Sequence, residues 1–136
     1  VSAKINGIAA NGTNDNTSVK VPWNYAQVDT NNDFDTTNNR FVAPVDGTYM
    51  VITDINCFGD NIIYIYKNGS SVRAAEYRFN EGSSWDHVVI QEVISLAAND
   101  YIEIYAFLGS GAGGYRWNGN GAGVSVWESL SVFLIG

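Results

Sequence analysis

Apolar and polar residues alternate along most of this chain, and no segment of length carries the apolar period of roughly 3.6 residues that marks a helix. Thr48–Ile55 is the clearest case: Tyr49, Val51, Thr53 and Ile55 fall on one face, Met50, Ile52 and Asp54 on the other. Similar runs predict strands over Val19–Trp23, Ile62–Lys67, Val72–Phe79, Trp85–Leu96, Tyr101–Leu108 and Leu130–Ile135. Phe34–Phe41 straddles a turn at Thr36–Asn39, and Asn68-Gly69 is a strong hairpin signal. Gln27–Asn32, Asn56–Asn61 and Asn80–Ser84 read as loops, Ala97–Asp100 as a tight turn, and Gly109–Gly123 as a flexible glycine-rich stretch. Either Gly114–Trp117 or Val124–Trp127 can be the penultimate strand. Eight to ten short strands at this spacing, counted on the sequence, predict a sandwich or jelly roll.

The length, 136 residues, suits one domain with one sizeable core. Hydrophobic residues make up 46% and charged residues 15%, which excludes a disordered segment and suits a turn-rich β domain. The net charge of −7, with 7 basic residues scattered along the chain, excludes nucleic-acid binding and attachment to an anionic membrane surface. No apolar run approaches the roughly 20 residues a membrane-spanning helix needs, so no membrane insertion is expected. The single Cys57 and single His87 exclude an internal disulfide and a zinc site; Cys57 reads as a small buried or half-buried thiol. The chain starts at Val1, inside a strand pattern, and is expected to be the C-terminal part of a longer protein.

Arg40–Val51 places a proline and Asp46-Gly47 directly before the longest alternating run. A proline cannot donate to a β ladder and belongs at a strand end or edge, and Asp-Gly favours a tight turn. Phe41 and Tyr49 are then expected to be core residues on two strands joined by a short Greek-key-type hairpin. The wording Phe41-Val42-Ala43-Pro44-Val45-Asp46-Gly47-Thr48-Tyr49 resembles the Phe-x-Ala-Pro-x-x-Gly-x-Tyr of the globular heads of complement component 1q. Asp33-Phe34-Asp35 with Asn39-Arg40-Phe41, the Lys67-Asn68-Gly69 turn, Leu96–Ile102 and the closing Ser129–Ile135 are similar to further family segments in the same order. Asn99 and Val132 stand where the family carries glycine, and no collagen-like stem is present. Pro22-Trp23-Asn24 and Asp29–Asn32 look more like members found in bacteriophage and bacterial fibres. The resemblance spans about the whole chain. It implies an all-β, ten-stranded jelly-roll sandwich of the tumour-necrosis-factor type, assembled as a homotrimer.

The alternation agrees with a trimer. A strand of a monomeric sandwich is polar on its outer face, yet Met50, Ile52, Val89, Val93, Tyr101, Tyr105 and Phe107 all lie opposite other apolar positions. These seven are the candidate trimer interface. A monomer whose own loops cover that face is the alternative.

Catalytic motifs are absent from the sequence. No G-x-S-x-G, H-E-x-x-H or phosphate loop occurs, and Asp86, next to His87 on a strand, points to the other face. The acids form no glycosidase motif, and most read as solvated turns. No cofactor is required. Asp54, Asp60 and Asn61 flank one loop and Asn99-Asp100 another, and the resemblance places both at one end of the trimer, so Asp60 and Asp100 are candidate calcium ligands. Tyr115, Trp117, Asn118 and Asn120 offer flat apolar faces beside amide groups, the chemistry that binds sugars; packing against a neighbour is the plainer role for Trp117. Trp23, Trp85 and Trp127 fit the core or an interface. The expectation is a non-catalytic trimeric head, extracellular or on a virion surface, that recognises a cell-surface glycan or protein receptor. A monomeric carbohydrate-binding sandwich and a purely structural trimerisation knob are the alternatives.

Overall fold

The computed structural model describes residues 1–6, 10–12, 17–58, 61–77, 85–108, 115–117 and 128–136. Among these, every regular element is a strand. Thirteen occur: β1 (Ser2–Lys4), β2 (Ala10–Gly12), β3 (Ser18–Lys20), β4 (Tyr25–Val28), β5 (Phe34–Asp35), β6 (Arg40–Val42), β7 (Gly47–Phe58), β8 (Asn61–Lys67), β9 (Ser70–Tyr77), β10 (Trp85–Leu96), β11 (Tyr101–Leu108), β12 (Tyr115–Trp117) and β13 (Ser129–Leu134). Five form one antiparallel sheet in the order β10-β7-β13-β1-β4. Six form the other, in the order β5-β6-β11-β8-β9, with β3 also paired to β11. The short β2 and β12 pair apart from both. The thirteen segments exceed the expected ten because several are only two or three residues long.

The two sheets face each other over one core. The alternation read from the sequence decides what enters it: Tyr49, Val51, Thr53 and Ile55 of β7 are buried, as are Val88, Ile90, Ile94 and Leu96 of β10 and Leu130 and Val132 of β13. Opposite them stand Ile63 and Ile65 of β8 and Ile102, Ile104 and Ala106 of β11. Trp23 is fully buried and is a core residue. Thr53 enters the core because its hydroxyl donates to the Ser129 carbonyl at 3.1 Å. Glu92 lies on the inward side of edge strand β10 and meets Arg73 Nε of edge strand β9 at 3.5 Å. A charge turned inward at an open edge discourages edge-to-edge pairing.

The corner after Phe41 differs from the expected hairpin. β6 belongs to the six-stranded sheet and β7 to the five-stranded one, so Ala43–Asp46 carries the chain from sheet to sheet. Phe41 and Tyr49 then meet across the core, with ring centroids 5.6 Å apart, and the Tyr49 hydroxyl donates to the Val45 carbonyl at 2.8 Å. Gly47 is needed for proximity: a Cβ there would lie 2.5 Å from Leu134 Cδ1 and 3.0 Å from the Gly136 carbonyl oxygen. The loop expected at Asn56–Asn61 is also shorter, because β7 runs on to Phe58 and β8 begins at Asn61. Asn56 keeps the outward parity of Met50, Ile52 and Asp54, so the strand continues through it.

Candidate functional site

On the outer face of the five-stranded sheet, three cross-strand rows run through β10, β7 and β13. Val93 of β10 lies opposite Met50 of β7, which lies opposite Phe133 of β13. The next row is Gln91, Ile52, Ser131, Ser2 and Val28. The third is Val89, Asp54 and Ser129. The first row is wholly apolar, and Val93 and Phe133 are each 49% exposed. Val89 and Val28 add exposed apolar surface on the same sheet. Four expected interface residues, Met50, Ile52, Val89 and Val93, thus share this face. Phe133 extends it; its place at the end of β13 became visible only through the register.

The other three, Tyr101, Tyr105 and Phe107, lie on the outer face of the six-stranded sheet, across the core from the first four. In a closed ring of three copies, the two contact patches of each subunit turn towards one axis, whereas patches on opposite faces of a slab extend into an open stack. The seven residues therefore do not form one patch. On the six-stranded face, Tyr105 is opposite Tyr64 and Glu103 is opposite Tyr66. Tyr66 and Tyr105 stack with centroids 4.6 Å apart, and Tyr64 meets Tyr66 edge-on at 5.9 Å. Lys20 Nζ lies 2.5 Å from Glu103 Oε1 and 5.8 Å from the Tyr105 ring centre. Arg40 covers Tyr101 at 4.6 Å and meets Asp35 at 3.3 Å. Burial, then the Glu103 carboxylate, push the Tyr105 phenol above its usual range, so it is a neutral hydroxyl at physiological pH.

Asp100 closes the turn between β10 and β11. Its carboxylate accepts from Asn68 Nδ2 at 2.7 Å and from the Ala97 amide at 2.8 Å, and it pairs with Lys67 Nζ at 2.9 Å. The Asn68 bond, then the Lys67 and Ala97 bonds, hold its pKa down at about 2. The Ala43 amide donates to the Asp100 carbonyl and the Asn99 amide to the Ala43 carbonyl, each at 2.8 Å, so the β6–β7 corner joins the same cluster. Asp60 lies outside the described residues. Its neighbour Asn61 pairs with Leu108 at the far end of β11, roughly 20–25 Å from Asp100 at the usual strand rise. Asn61 and Asp100 thus lie towards opposite ends of β11. Among the described residues no three His, Cys, Asp or Glu side chains converge on a common point.

His87 has an acid partner that sequence adjacency did not reveal: its Nδ1 lies 3.0 Å from Asp54 Oδ1 on the neighbouring strand. Asp54 in turn lies opposite Ser129. The acid thus stands between His87 and Ser129, whereas nucleophilic catalysis needs the histidine in the middle. Tyr115 and Trp117 lie on β12, opposite Gly12 and Ala10 of β2. That makes Tyr115–Trp117 a strand, while Asn118, Asn120 and the alternative strand Val124–Trp127 lie outside the described residues.

No protein-family profile matches the chain. The phage-like element PBSX protein XkdV of Bacillus subtilis (strain 168) is 30% identical over 102 residues, covering 66% of this chain and 15% of that protein. The chain thus corresponds to a small part of that relative's length. The solved globular domain of zebrafish complement 1qA matches with a TM-score of 0.68 at 20% identity, over 99% of this chain and 95% of that one. The fold is the jelly roll shared by complement 1q heads and tumour necrosis factor, and it occurs here in a chain with a relative in a phage-like element.

Proposed function

We propose that three copies of this chain assemble about a three-fold axis through the outer face of the five-stranded sheet, forming a non-catalytic head that recognises a surface ligand. The observation that carries this reading is the row Val93–Met50–Phe133, an apolar band on a face that a monomeric sandwich keeps polar. The complement 1q fold supports it, as does the name of the phage-like relative, which favours a place on a virion or a related extracellular particle. No cofactor enters the assembly. The ligand is a cell-surface glycan or protein receptor, and the glycine-rich stretch with Tyr115, Trp117, Asn118 and Asn120 offers one place for it. Three weak sites on one rigid head gain avidity without new contacts.

Light scattering coupled to size exclusion tests the assembly. The expected mass is three times the chain's 14.8 kDa, unchanged by a chelator. A mass of one chain at tens of micromolar would overturn the reading and favour a monomeric binding module.

A further inference from the structure

The six-stranded sheet turns a tyrosine-lined face away from the proposed assembly axis, and we infer that this face, centred on Tyr64, Tyr66 and Tyr105, binds a neutral saccharide. The inference rests on the proposed head only in that this face stays outside the assembly.

Three observations select the ligand. The rings are already ordered, by the Tyr66–Tyr105 stack at 4.6 Å and the Tyr64–Tyr66 contact at 5.9 Å. Binding therefore costs little side-chain entropy. The three hydroxyls have no hydrogen-bond partner among the described residues, unlike Tyr49, whose hydroxyl is taken by the Val45 carbonyl. Ring surface beside free hydroxyls matches a sugar, which presents C–H faces and O–H edges together. Charge decides between neutral and anionic sugars. Lys20, the cation beside Tyr105, is held by Glu103 at 2.5 Å, and Arg40 on the same face is held by Asp35 at 3.3 Å. No uncompensated cation among the described residues of this face awaits a sialyl, sulfate or phosphate group. The net charge of −7 opposes polyanions further.

The test applies the labelled chain to an array of neutral oligosaccharides of glucose, galactose and N-acetylglucosamine, beside sialylated and sulfated ones. Wild type is expected to be retained on a neutral saccharide. Titration calorimetry with that saccharide should then show affinity falling about tenfold or more in Tyr66→Ala/Tyr105→Ala. Tyr66→Phe keeps the stacked ring, so it guards against misfolding; it should weaken binding by a smaller factor with an unchanged far-UV spectrum. Retention on no neutral saccharide, retention on anionic ones alone, or equal affinity in all three proteins would overturn the inference. So would a drop in solution mass in the double variant, which would make this face a contact between copies. A wild-type mass of one chain with tyrosine-dependent retention would sink the three-fold assembly and leave this site standing; a threefold mass without retention would do the reverse.

Discussion

Asparagine takes the left-handed backbone positions in this molecule. Asn68 and Gly69 have φ of 51° and 79°, the paired positive angles a tight hairpin turn needs, and Asn99 sits at 73°. The last value explains why asparagine stands where related heads carry glycine: it is the side-chain residue that tolerates this region best. Asn99→Ala should cost about 1–2 kcal/mol in urea unfolding, whereas Asn99→Gly should cost nothing measurable. Asp100, next to it, is an acid in a turn, and the sequence carries no sign of its partners. Its partners Asn68 and Lys67 are distant in sequence and reach it only through the fold. The folded pKa of about 2 lies below the ordinary carboxylate value of 3.8, so the carboxylate stabilises the fold above pH 4 and loses that contribution as pH falls towards 2. Melting temperatures taken stepwise from pH 5 to pH 2 should drop more steeply in wild type than in Asp100→Asn. Equal slopes would remove Asp100 from the account of acid sensitivity. The His87–Asp54 pair was hidden in the same way, across a strand register that no local pattern encodes.

At the level of elements, long alternating runs were legible and junctions were not. β10 and β11 fall where the periodicity put them, Trp85–Leu96 and Tyr101–Leu108, because one face of each must enter the core and a slip of one residue would reverse every side chain. The corner at Pro44 was misread because Asp-Gly describes a local turn equally well whether the next strand pairs back or crosses to the other sheet. Gly47 shows the difference. Its φ is not in the positive region, and the pressure for glycine comes from the last residues of the chain lying against it. Gly47→Ala should cost about 1–3 kcal/mol through overpacking, measured by chemical denaturation. A cost near zero would mean that Leu134 and the Gly136 backbone yield freely. The short strands β3, β5, β6 and β12 overlap stretches the sequence marks as strands, but their ends are not legible because so short a run contains no period.

For the whole molecule, the sequence showed that several strands are apolar on both faces, but not that these faces point in opposite directions. Only the pairing of the sheets separates Met50, Ile52, Val89 and Val93 from Tyr101, Tyr105 and Phe107. That separation makes a directional prediction. Met50→Lys, at the centre of the apolar row, should lower the solution mass towards one chain without loss of β signal in circular dichroism, whereas Tyr105→Lys should leave the mass unchanged. A mass altered by Tyr105→Lys alone would exchange the roles of the two faces. The position of β13 matters on another timescale. β13 lies in the middle of its sheet, between β7 and β1, so a folding chain holds two unjoined half-sheets until β13 docks. Most of the core is then assembled through contacts between distant parts of the chain, the slow kind of folding in which sticky strand edges stay open. A folding chain is therefore expected to keep these edges open until β13 docks, and a substitution that breaks β13, such as Val132→Pro, would remove the seam of the sandwich rather than trim its edge.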